Sequence, residues 1–285
     1  MVIEGDFRGN GGGDLRLRHA YGEYKGVLLG QTWSNYNSFV GNTSVLDFDA
    51  LASNAGLQGR VTQARYTMGA MSFSAEDSNT SVFNSDDTKE SLPTLTARFE
   101  SAAGPLSYSA AALVHQFSYD TGSDNDDAVG YAVFGAAKFA ITPGISIQGA
   151  LNYSDGANYY LYRSGENFGA ADAYLDGSGS LETISGYGGT IGMGFDVGTG
   201  SVNVGYGIVT NDWDDAEDDL GLGLPGDDDA VGNQHETNSN VMLNYQFSPV
   251  KNVMMGVEYG YFMVDEVDGD DGDASRILFA GQYNF

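Results

Sequence analysis

Residues 275–285, S-R-I-L-F-A-G-Q-Y-N-F, decide how the rest of the chain is read. Ile277, Phe279, Tyr283 and Phe285 take alternate positions around Gly281, while Arg276, Gln282 and Asn284 take the other face. That is the period of two of a β-strand, with one oily face and one mostly polar face. About ten residues is also the length that a tilted strand needs to cross the hydrocarbon core of a bilayer.

The same unit recurs toward the amino terminus. Val241, Leu243, Tyr245 and Phe247 oppose Met242, Asn244 and Gln246; Ile145, Ile147, Leu151 and Tyr153 oppose Ser146, Gln148 and Asn152. Leu95, Ala97 and Phe99 oppose Thr96, Arg98 and Glu100, and Ile3, Gly5 and Phe7 oppose Glu4, Asp6 and Arg8. In residues 15–24, Leu15, Leu17, His19 and Tyr21 are expected on one face, with Arg16, Arg18, Ala20 and Gly22 on the other. The pattern supports about fourteen strands joined alternately by short and long connections. The short turns include Lys25-Gly26, Gly69-Ala70 and Pro143-Gly144; the long polar connections include 35–56, 154–180 and 211–236. Short turns at one end and long loops at the other are the asymmetry of bacterial outer-membrane barrels, and an aromatic residue closing the last strand resembles their terminal signal. The expected fold is all-β, an antiparallel transmembrane β-barrel filling residues 1–285 as a single domain.

Two segments are less regular. Residues 35–56 show no sustained period and either fold inward to narrow a lumen or stay exposed as an ordinary loop. Residues 170–175 read as a helical turn. Tyr153, Tyr245, Tyr259, Tyr261 and Tyr283 sit where interfacial girdles form, and Trp33 is expected in a girdle rather than in the pore.

Composition agrees with a membrane barrel. The 285 residues include 41 glycines, 18 tyrosines and 15 phenylalanines but only 5 prolines, an aromatic content unlike that of disordered chains. No apolar run is long enough for a membrane helix. There is no cysteine, so disulfides and thiolate metal sites are excluded. A formal charge of −27 argues against nucleic acid as a partner. The acidic residues concentrate at 120–127, 212–229 and 265–273, which are read as loops. The start, M-V-I-E-G-D-F, carries neither a basic n-region nor an apolar h-region, so the expectation is a mature, trimmed or incomplete amino terminus.

The cations fall on the polar faces. Arg8, Arg16, Arg18, Arg65, Arg98, Lys138 and Arg276 are expected to line the lumen, where they would attract anions. Arg16 and Arg18 share a face about 7 Å apart, and a guanidinium fork suits a carboxylate. The alternative is that they pair with Glu4, Asp6, Glu76 or Glu258 and stiffen the wall. No catalytic constellation, cofactor or metal is expected. His19, His115 and His235 lack paired spacing, no G-x-S-x-G occurs, and the D-G-D-D-G-D run at 268–273 lacks the terminal Glu of an EF-hand loop.

The stretches E-G-D-F (4–7), L-R-L-R-H-A-Y-G-E-Y (15–24), L-G-Q-T-W-S (29–34), Q-A-R-Y-T (63–67) and the terminal G-Q-Y-N-F resemble the DcaP-like porin family. The match lies mainly in the first seventy residues and the last strand; the middle agrees in pattern only. The resemblance implies a trimeric outer-membrane channel of about sixteen strands for small organic anions such as dicarboxylates, embedded in outer-membrane lipid and lipopolysaccharide. Against that pattern the coiled coil and about two strands before E-G-D-F are absent. About fourteen strands of a sixteen-stranded barrel are therefore expected, with closure as fourteen the alternative. Passive diffusion of small organic anions is the expected function. A general or cation-preferring porin is the nearest alternative, and a barrel-embedded enzyme is a distant one.

Overall fold

The computed structural model describes residues 1–9, 11–49, 51–85, 88–120, 125–166, 168–224 and 230–285. Five strands open the chain: β1 (Val2–Gly9), β2 (Asp14–Tyr24), β3 (Val27–Trp33), β4 (Arg60–Met68) and β5 (Met71–Glu76). Two short strands, β6 (Val82–Phe83) and β7 (Thr88–Lys89), precede the long hairpins β8 (Thr94–Ala103), β9 (Leu106–Asp120), β10 (Asn125–Thr142) and β11 (Ile145–Asp155). After the short β12 (Ala173–Leu175) and β13 (Leu181–Thr183) come β14 (Ser185–Val197), β15 (Gly200–Asn211), β16 (His235–Phe247), β17 (Val253–Glu266) and β18 (Asp271–Tyr283). Fourteen strands pair antiparallel in chain order, β1 to β5, then β8 to β11, then β14 to β18, and β7 adds to β9.

Side-chain alternation sets the two faces. Along β10, Tyr131 and Val133 are exposed while Ala132, Phe134 and Ala136 are buried. In β18, Ile277 and Phe279 are 62% and 81% exposed, the apolar surface of a strand facing lipid. No helix is long and apolar enough to cross a membrane, so crossing falls to the strands.

The sheet curls around residues 34–58. Asp47 of this loop ion-pairs with Arg276 on β18, while the adjacent Phe48 meets Trp33 at the end of β3, with ring centroids 5.8 Å apart. Opposite ends of the sheet are thus brought to one short segment. Among the described residues no backbone pairing joins β1 to β18.

Several expectations are corrected. Residues 173–175 form a strand, not a helical turn; a 3-10 turn lies earlier, at Asn158–Tyr160. The acidic connection after β15 holds an α-helix, α1 (Asp214–Leu220), with Asp214, Asp215 and Glu217 in its first turn, where acidic groups suit the helix dipole. The acidic runs are not all loop: Asp126 and Asp127 lie in β10, and Asp265, Asp271 and Asp273 lie in β17 and β18. Residues 121–124 and 225–229 of those runs, and residue 10 of the first turn, lie outside the described residues. In β2 the alternation breaks at Arg18. Gly5 pairs with Leu17 and Glu4 with His19, so Arg18 is an extra residue and His19 moves to the inner face. His19 is accordingly buried, not on the face of Leu15 and Leu17.

Candidate solute pathway

The inner face of β14 to β17 carries few bulky side chains, and the loop lies on it. A Cβ at Gly192 would overlap Thr43, one at Gly207 would overlap the Ala52 backbone, and one at Gly256 would stand 2.8 Å from Leu46. Wall asparagines then fasten the loop's main chain. Asn240 Oδ1 accepts the Ala52 N–H (3.1 Å), Asn152 Nδ2 donates to the Ser53 carbonyl (2.8 Å), and Asn244 Nδ2 donates to the Ser44 carbonyl (2.8 Å). Of the two readings left open for residues 35–56, the structure takes the inward one.

Two buried carboxylates anchor the loop's flanks. Glu76, on β5, accepts the Asn35 N–H at 2.6 Å, the Ser34 hydroxyl at 2.6 Å and the Ser74 hydroxyl at 2.7 Å. Glu258, on β17, accepts the Leu46 and Asp47 amides at 2.7 and 3.1 Å and Asn244 Nδ2 at 2.9 Å. A buried carboxylate is tolerated when its lone pairs are filled in this way.

The seven sequence-chosen cations divide into two groups. Arg16 donates through Nε and Nη2 to Asp6 (3.0 and 2.6 Å), and Arg18 reaches Glu4 at 2.7 Å and Asp6 at 3.2 Å. Arg276 pairs with Asp47, its guanidinium 5.1 Å from the Phe262 ring centroid. These three are neutralised. Arg8, Arg65, Arg98 and Lys138 make no ion pair among the described residues. Arg8 is exposed near the end of β1, its amide donating to Asp6 (3.1 Å). Lys138 is exposed on the face of β10 that carries Phe134 and Ala136. Arg65 and Arg98 are half-buried on either side of β5, opposite Ser74 and Ser72. Arg98 donates to the Asn37 carbonyl of the loop, and among the described residues Nε of each arginine is buried without a partner.

At the mouth the long connections form a second layer. β6 pairs parallel with β12 and β12 antiparallel with β13, while Tyr174, Ile184, Trp213, Ala216 and Val231 close a small apolar core. Asp172 joins two of the loops: its carboxylate accepts the Ser81 and Tyr159 amides at 3.0 and 2.8 Å. Its burial pushes the carboxyl up to about 8, although those amides pull the other way. Below the cap is an opening of about 1020 Å³. It shares Gly165, Glu166 and His235 with a pocket of about 370 Å³ that extends to Asn240, Phe262 and Asp273.

No protein-family model matches the chain, and no curated protein matches it in sequence. Among solved structures, the outer membrane channel DcaP of Acinetobacter baumannii superposes with a TM-score of 0.83 at 27% identity, over 99% of this chain and 79% of that one. The chain is an outer-membrane porin similar to DcaP. The porin also shares its fold with OmpT of Vibrio cholerae. A loop L8 deletion mutant gives a TM-score of 0.55 at 13% identity, over 99% of this chain and 83% of that one; a trimer form gives 0.53 at 13%, over 95% and 81%. It is a channel and not an enzyme. Among the described residues no group of three or more potential ligands is placed to hold a metal ion.

Sequence reasoning missed part of the porin's interior. Trp33 is not in an outer girdle: it contacts Phe39 and Phe48 of the loop, and Arg60 lies 3.8 Å over its ring. Arg60 Nε donates to His19 Nε2 (3.0 Å), which leaves His19 Nδ1 as the donor to Thr32 Oγ1 (3.0 Å). Strict alternation from Arg65 puts Arg60 on the lipid face, so only the fold could place it. Glu258 did leave a signal, as an acidic side chain on an inner face between Gly256 and Gly260.

Proposed function

We propose that the porin passes small organic anions by passive diffusion, with Arg65 and Arg98 setting the preference. The observation that carries this reading is that both guanidiniums flank β5, Arg98 reaching the inner loop at Asn37, with no ion pair and with a buried Nε donor left open in each, among the described residues. A cation held in a low-dielectric wall acts over a longer range than one screened by water, and charged residues on an inner face govern selectivity. Arg8 and Lys138 add to the field toward the two ends. Arg16, Arg18 and Arg276 contribute less because Glu4, Asp6 and Asp47 cancel them. A single barrel domain assembled as a homotrimer in lipopolysaccharide-bearing outer membrane belongs to the same reading, and the trimer form of OmpT supports it.

The test is the reversal potential of the full-length protein in a planar bilayer under a potassium chloride gradient. Anion preference is expected, and replacing Arg65 and Arg98 by Gln should move the potential toward zero. A wild-type potential on the cation side would overturn the anion reading and make the acidic mouth the element that sets the field.

A further inference from the structure

The inner loop has two phenylalanines that its packing does not explain. Tyr36, Ser38, Leu51, Ala52 and Ala55 are all nearly inaccessible, yet Phe39 and Phe48 are each 44% exposed. Their rings lie 6.0 Å apart and both touch Trp33, at 5.3 and 5.8 Å between centroids. The three rings form one platform. The interior of a water-filled barrel is polar, so aromatic surface left open there marks a place where an apolar body docks. The cation at its edge is Arg60, stacked on Trp33 and free of any ion pair among the described residues. Its Nε is committed to His19, which leaves the terminal nitrogens of the fork for a carboxylate. The acids beside Phe48 are engaged elsewhere: Asp47 with Arg276, and Asp49 with the Tyr162 hydroxyl at 3.0 Å.

We infer that Trp33, Phe39, Phe48 and Arg60 form a binding step for carboxylates that carry a flat aromatic ring. The ring stacks on the two phenylalanines and the carboxylate meets Arg60. The carboxylate arm rests on the anion reading above, whereas the ring arm does not.

Benzoate is the probe, with acetate as the anion lacking a ring and benzyl alcohol as the ring lacking a charge. The chain has 2 tryptophans, Trp33 and Trp213, so Trp213→Phe in the mouth leaves Trp33 as the reporter. Benzoate should change Trp33 emission saturably in the full-length porin in detergent, with acetate about tenfold weaker, the upper range for aromatic pairing, and benzyl alcohol about fivefold weaker, the upper range for an exposed charge contact. Phe39→Ala with Phe48→Ala should reduce the preference of benzoate over acetate to about threefold or less. Phe48→Leu, which keeps apolar bulk but removes one ring, should weaken it in the same direction. Arg60→Gln should bring benzoate to the level of benzyl alcohol. Acetate binding as well as benzoate, or a benzoate preference that survives both phenylalanine variants, would overturn the inference. Benzoate binding no tighter than benzyl alcohol would remove the carboxylate arm. The anion reading itself stands or falls separately, on the reversal potential.

Discussion

Glu76 and Glu258 differ instructively from Glu4 and Asp6. All four are carboxylates on the inner side of the sheet, yet the first pair is buried against loop amides and the second is open to water beside arginines. Where water is excluded, the carboxylate's lone pairs must be filled, and the cheapest donors are the amides of a chain that has no other partner for them. The acid then becomes a clasp. Where water remains, the same group screens a cation and shapes the field while holding little together. Position in the wall, not residue type, divides gating structure from electrostatics.

The largest expected effect tests the clasp. Replacing Glu76 and Glu258 together by Ala leaves buried amides and hydroxyls without acceptors, at about 1–3 kcal/mol each. The loop should leave the wall, raising single-channel conductance about twofold or more, because pore width limits flow. Unchanged conductance would mean that the wall asparagines and the overlap with Gly192 and Gly207 hold the loop by themselves.

An intermediate effect is expected at the mouth, where Asp172 is a third buried acid clasping amides. Its folded value, about 8, lies above the ordinary 3.8, so its linked stability is fully present below about 4 and lost as pH rises through 8. The protection factors of the Ser81 and Tyr159 amides, exchange rates taken relative to those of the unstructured chain at the same pH, should therefore fall between about pH 6 and 9. Asp172→Asn should abolish that pH dependence. Equal protection factors at both pH values in the wild type would show that the apolar core around Trp213 keeps the cap shut.

The smallest effect belongs to the exposed ladder. Arg16, with 47% of its side chain open, and Arg18 form pairs that water screens and that hold little together. Replacing both by Gln should leave heat resistance on gels nearly unchanged and shift the reversal potential less than the Arg65 and Arg98 replacements do. A larger shift would mean that Glu4 and Asp6 do not cancel them, and the distinction between the two groups of arginines would fail.

Much of the architecture is legible in the sequence. Alternation in residues such as Ile277, Phe279 and Tyr283, and the regular exchange of short and long connections, determine strands, their order and the face each presents, because a strand's period is local and lipid accepts only one face. What alternation could not supply was anything that breaks the period or crosses the lumen. The extra residue at Arg18, the inward course of residues 34–58, the platform of Trp33, Phe39 and Phe48, and the pairing of three arginines with acids all depend on contacts between segments far apart in the chain. Those contacts exist only once the sheet has curled and brought β18, β3 and the loop together.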